Sequence, residues 1–118
     1  MTWPLEKMTA QEVFDTVNAH LLTQKECSEN DNGNCAYRGL NGLKCAAGCL
    51  IPDECYNPGM EGNNWGTLIE SDIGVPEVHR NLIARLQAIH DNCSVETWYS
   101  NLKELANNKG LSFNFKDN

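Results

Sequence analysis

Six cysteines carry most of the reactive potential of this 118-residue chain: Cys27, Cys35, Cys45, Cys49, Cys55 and Cys93. Three chemistries are open to them. Thiolates bind soft cations such as zinc, they act as nucleophiles when a base or a helix N-terminus lowers their pKa, and neutral thiols pack as small hydrophobes. Burial is the ordinary fate of a free cysteine. The candidate metal set is Cys35, Cys45, Cys49 and Cys55. Only Cys45 and Cys49 have the three intervening residues of a zinc knuckle, and on a helix they would share a face one turn apart. A second knuckle is missing, so His20 or His79 would have to complete the site through a tertiary contact. The expectation is that the protein carries no metal or other cofactor.

Cys45 is the candidate nucleophile. It follows a glycine-bearing turn, has Lys44 beside it, and can sit where a helix dipole favours a thiolate. Its base would be His79 or His90. Those two are eleven residues apart, or roughly 16 Å along a helix axis, so only one could serve a given thiol. Any cysteine with any histidine meets this test, and the balance favours a protein that is not an enzyme. His90-Asp91 matches a dipeptide of metal phosphohydrolases, but only His20 and His79 remain as further histidine ligands. A histidine at a helix C-terminus interacting with the dipole is the simpler reading. Asp53-Glu54 after Pro52 reads as a helix N-terminus, since adjacent side chains on a turn point apart.

A sharper pattern is an anion site. Tyr37-Arg38-Gly39-Leu40-Asn41-Gly42-Leu43-Lys44 puts two cations around a turn whose glycines admit close backbone approach. Tyr37, Arg38, Gly39, Gly42 and Lys44 are therefore candidate ligand-binding residues for a phosphate or carboxylate. The segment departs from the phosphate-loop pattern, which needs a longer glycine spacing and Lys followed by Ser or Thr. The bland alternative is a plain hairpin, with Arg38 bridging to a carboxylate.

The elements that must position these residues fall into three blocks. Residues 27–74 hold eight of the nine glycines and five of the six cysteines. They form a central segment between helical flanks, within a single compact domain spanning 1–118. Thr9 with Glu12 forms a capping box, and Ala10, Val13, Phe14, Val17 and Leu21 keep helical spacing, predicting a helix over about 9–24. Pro76 suits a first helical position, and Val78, Leu82, Leu86 and Ile89 give the stripe of a second helix over about 76–91. Ser94 caps a third over about 94–108, which Gly110 ends. Asn41-Gly42 favours a tight turn, so a small β-hairpin is expected over about 35–45. Lys44 to Leu50 leans towards a short helix. The tail Leu111 to Phe115 alternates, as either a short strand or an aromatic clip. The expected fold class is α+β, mainly α.

A formal charge of -7 disfavours duplex nucleic acid, whose phosphates call for an excess of Lys and Arg. No apolar run approaches the roughly 20 residues of a spanning helix. Met1 to Met8 lacks the basic region and apolar core of a secretory signal, so a cytoplasmic location with reduced thiols is expected.

The stretch Cys35-Ala-Tyr-Arg-Gly-Leu-Asn-Gly-Leu-Lys-Cys-Ala-Ala-Gly-Cys-Leu-Ile-Pro-Asp53 resembles a signature of small uncharacterised proteins of tailed bacteriophages and proteobacteria. The likeness extends weakly to Gln11–Gln24 and to Leu82–Asp91 with Trp98. The Cys45-Ala-Ala-Gly-Cys-Leu core is also similar to a segment of uncharacterised actinobacterial proteins. The resemblance implies a shared fold and a bacterial or phage origin, and no chemistry. The leading functional expectation is a small acidic accessory protein that acts by occupying a protein partner through complementary charge, in a phage setting an inhibitor of a host defence or regulatory protein. The alternatives are a binder of a small anionic ligand or nucleotide at the Arg38–Lys44 turn, and an enzyme built on Cys45.

Overall fold

Thr9 opens the first helix with both halves of a capping box. Its hydroxyl accepts the Glu12 amide at 3.1 Å, and Glu12 Oε1 accepts the Thr9 amide at 2.8 Å, so two otherwise orphaned donors are satisfied. In the computed structural model, which describes residues 3–92 and 94–115, this helix α1 spans Ala10–Gln24. It is followed by α2 (Trp65–Glu70), α3 (Arg80–Asn92) and α4 (Val95–Asn108). Cys93 lies outside the described residues. Helices α1, α3 and α4 pack on one another and α2 leans on α3. Val13, Phe14, Val17 and Leu21 of α1 meet Ile83 and Leu86 of α3 and Trp98 and Leu102 of α4, all with no solvent exposure. Each side chain of that size contributes about 1.5–3 kcal/mol by burial. Among the described residues no helix is long and apolar enough to cross a membrane.

Helix α3 starts at Arg80, not at Pro76 as the sequence suggests. His79 is the reason. Its φ is 62°, a left-handed conformation that cannot lie inside a right-handed helix. Its ring Nε2–H donates to the Met8 carbonyl at 2.6 Å, which ties the helix entrance to the N-terminal segment. Val78 consequently leaves the apolar stripe and is exposed. The C-terminal tail is an aromatic clip. Gln11 holds both the amide and the carbonyl of Ser112, and Phe113 packs edge-on against Phe14 and Tyr99.

The α+β expectation is overturned. The fold is mostly helical, no strand occurs among the described residues, and the hairpin expected at 35–45 does not form. Two isolated antiparallel bridges, Glu29 with Cys35 and Arg38 with Lys44, stand in its place. The turn residues behave as expected: Asn41 and Gly42 have φ of 61° and 76°. What fails is the ladder, because side chains capture its backbone groups. Glu61 takes the Tyr37 amide on Oε1 at 2.8 Å and the Arg38 amide on Oε2 at 3.1 Å. Gln24 Oε1 takes the Lys44 amide, while Gln24 and His20 both hold the Lys44 carbonyl. With those groups engaged, no run of paired residues can extend.

The helix expected over 44–50 is reduced to a single 3-10 turn at Gly48–Leu50. A β-carbon at Gly48 would run into the Tyr37 carbonyl oxygen, so this turn sits directly on the backbone of the preceding segment. Similar turns follow at Asp53–Cys55 and Pro58–Met60.

Glu61 also accepts the Tyr56 hydroxyl at 2.7 Å. Glu61→Ala leaves two amides and a phenol without their acceptor, and we expect a loss of about 2–3 kcal/mol in urea unfolding. A loss under about 0.5 kcal/mol, within the range of an ordinary surface substitution, would show that the clamp does not hold the central segment.

Candidate metal centre

The last turn of α3 presents Gln87, His90 and Asp91. His90 faces the core, with no side-chain exposure, and stacks on Trp98 with ring centres 5.4 Å apart. Its Nε2 accepts the Ser28 amide at 3.0 Å, across 62 residues of chain. Its Nδ1–H donates to Asp91 Oδ1 at 2.7 Å. Ser28 in turn donates its hydroxyl to the carbonyls of Ala36 (2.7 Å) and Leu43 (3.2 Å), and its own carbonyl accepts the Ala36 amide. One buried imidazole thus fastens the 27–29 and 35–36 segments to α3. Cys35 arrives beside Asp91 as a result, and the ligand atoms of Cys35, His90 and Asp91 all lie within 4.8 Å of one another.

The electrostatics of the group centre on Asp91. Burial alone would raise its carboxyl, but hydrogen bonds from His90, Gln87 and Cys35 hold it below the ordinary carboxylate value. Burial, the hydrogen bond to Asp91 and the charge of Asp91 push the Cys35 thiol up to about 11. At neutral pH, then, Asp91 is ionised and Cys35 keeps its proton. The thiol is no nucleophile by itself. A cation would change that, since coordination removes the proton from a thiol outright.

His90 imposes a condition on such a cation. Because Nε2 accepts from a backbone amide, the neutral ring carries its proton on Nδ1, the nitrogen that faces Asp91 and Cys35. A cation at Nδ1 displaces that proton. The ring then either gives up its Ser28 hydrogen bond to reprotonate at Nε2, or coordinates without a proton on either nitrogen.

A cavity of about 250 Å³ opens beside the cluster, lined among others by Cys35, Tyr37, Cys45, Asn63, Gln87 and Asp91. A larger depression of about 710 Å³ runs between α4 and the tail and shares no residue with the cluster.

The residues singled out in the sequence are dispersed. Of Cys35, Cys45, Cys49 and Cys55, only Cys35 joins the cluster. Cys45 is buried, its thiol is pushed up to about 12 chiefly by burial, and its sulfur accepts the Gly48 amide at 3.3 Å. Cys49 is likewise raised to about 12 by burial and donates to the Ala46 carbonyl. Cys55 packs half-buried against the core. His79 is committed to Met8 and His90 to Ser28 and Asp91, so neither is a base for Cys45. In the glycine turn, Arg38 pairs with Asp53 at 2.6 Å and lies over the Tyr56 ring at 4.4 Å. Tyr37 is buried with its hydroxyl on the Asn63 carbonyl. The Lys44 backbone is held by Gln24 and His20, and the space beside Gly39 is filled by Ser28 and Glu29. Gly42 faces open space.

Sequence reasoning did not find Ser28 or Gln87, nor the joining of Cys35 with His90 and Asp91. The His90-Asp91 pair was the available signal, and its missing third ligand came from the cysteine set. The expectation that the protein is not an enzyme is corrected by this cluster. A thiol, an imidazole and a carboxylate whose ligand atoms converge beside a cavity could hold a metal ion, the kind of centre on which catalysis can be built. Comparison of the chain with protein-family models, curated proteins and solved structures finds no match.

His20 offers a check on the packing that frames the site. Burial holds its pKa below the ordinary 6.5 against the opposing pull of its hydrogen bond to the Lys44 carbonyl, with smaller downward pushes from the Lys44 and His90 charges. The unfolded chain therefore takes up the proton first as pH falls. The stability contributed is complete above pH 6.5 and is lost as pH drops through that value towards the lower folded-state pKa. Thermal melts from pH 7.5 to 5 should show Tm falling, and His20→Gln should flatten part of that slope. An unchanged slope in the variant would contradict the assignment.

Proposed function

We propose that the protein binds one thiophilic divalent cation of the zinc class at Cys35, His90 and Asp91, and brings a small polar molecule to it through the adjoining cavity. The observation that carries this reading is the convergence of three ligand atoms of different chemistry, within 4.8 Å of one another, at the edge of that cavity. Three protein ligands with one side left open is the pattern of catalytic zinc sites, whereas structural sites are closed by a fourth. Such a cation polarises a bound oxygen or makes a hydroxide available near neutral pH. The charges suit it: a Cys35 thiolate and the Asp91 carboxylate together match a doubly charged ion. Gln87 and the stacked Trp98 hold the ligands in place before the cation arrives.

This convergence supports a small charged ligand over occupation of a protein partner. It also supports a ligand of opposite sign to the anion expected at residues 37–44, where Arg38 already has its counter-ion in Asp53.

Calorimetric titration with Zn²⁺ should give one ion per chain, with release of the Cys35 thiol proton. Cys35→Ser and Asp91→Asn should each weaken binding by about 100-fold or more, above the 10–100-fold typical of outer-shell changes. Zinc at a hundred times its Kd should raise unfolding stability by about 2.7 kcal/mol. Undiminished zinc binding in both variants would place the ion elsewhere and overturn the reading.

A further inference from the structure

A second thiol borders the same cavity. Cys45 lines it together with Cys35 and Asp91, and one side chain stands between the two parts. Gln87 accepts the Ala47 amide on Oε1 at 2.8 Å and donates from Nε2 to Asp91 Oδ1 at 2.7 Å. Cys45 lies two residues before Ala47 on the turn that Gln87 holds, and its sulfur accepts the Gly48 amide at 3.3 Å. Gln87 therefore bridges the proposed cation site to the turn that carries Cys45, satisfying a backbone amide and a carboxylate with one neutral group.

We infer that Gln87 sets the coordination number of the site: by pinning the turn that carries Cys45 to Asp91, it keeps that thiol outside the ligand set of Cys35, His90 and Asp91 and leaves the fourth position for water or substrate. The inference rests on the cation reading of Cys35, His90 and Asp91. The chemistry of the alternative makes the role clear. With Cys45 as a fourth ligand, the site becomes a closed set of two thiolates, an imidazole and a carboxylate, the arrangement of structural zinc rather than catalytic zinc. The second thiolate would also bring the ligand charge to three against two on the ion. An amide that fixes both Asp91 and the turn bearing Cys45 holds the site in its open form. Gln87 is a positioning residue, since it acts through Asp91 and Cys45.

The test is reconstitution of the full chain with Co²⁺, whose near-ultraviolet charge-transfer band grows with the number of thiolates bound. The wild-type protein should show one thiolate per cobalt, and Cys45→Ser alone should leave the band unchanged. Gln87→Ala should raise the intensity about twofold, as expected when a second thiolate joins a zinc-type site, and the double variant Gln87→Ala with Cys45→Ser should return it to the wild-type level. A band that weakens in Cys45→Ser would show that Cys45 is already a ligand and overturn the inference, a result that does not require the Gln87 variant to fold. An unchanged band in folded Gln87→Ala would overturn it as well. Wild-type protein with no thiolate band at all would instead bring down the cation reading, and this inference with it.

Discussion

The hydrogen bond from the Ser28 amide to His90 Nε2 is the contact on which the site depends. It is fully buried and it joins segments far apart in sequence. An imidazole in the core must have both nitrogens partnered, because an unpartnered buried polar group costs about 1–3 kcal/mol. Ser28 supplies one partner and Asp91 the other, while Trp98 covers the ring face. Since Ser28 also gathers the carbonyls of Ala36 and Leu43, the same contact organises a glycine-rich segment that has no ladder to organise itself. The meeting of Cys35 with Asp91 follows from that anchoring.

The result is an arrangement with two demands in tension. Hydrogen bonds from neighbouring side chains favour the ionised form of Asp91, and burial together with that carboxylate keeps the Cys35 thiol protonated. A doubly charged cation deprotonates the thiol by coordination while using the carboxylate. The carboxylate is ready, and the thiol proton and the His90 Nδ1 proton are what the ion must displace. Metal affinity is therefore tied to pH through proton release, and it is tied to the Ser28 contact through the tautomer that His90 must adopt.

How much of this was legible in the sequence differs from element to element. The capping box of Thr9 and Glu12 and the stripe Val13, Phe14, Val17 and Leu21 are local signals, and α1 follows them. Pro76 marked a start for α3, but the left-handed His79 moved it to Arg80; histidine takes that conformation more readily than most side chains, yet its identity alone does not say that it will. The hairpin failed for a related reason. Asn41-Gly42 formed its turn, yet Glu61 and Gln24, distant in sequence, took the amides that strands would have shared. The site shows the same division. His90-Asp91 and Cys35 were each visible as ligand types, and sequence spacing could not bring them together because the link is the single residue Ser28. The thiols that did have knuckle spacing, Cys45 and Cys49, have raised pKa values in buried surroundings.

X-ray absorption at the zinc edge of the loaded protein reads the ligand set of Cys35, His90 and Asp91 without altering a residue. A cation held by these three residues gives one sulfur at about 2.3 Å and nitrogen or oxygen neighbours at about 2.0–2.2 Å, with the more distant scattering of one imidazole ring. A shell of oxygen and nitrogen alone, with no sulfur, would contradict it.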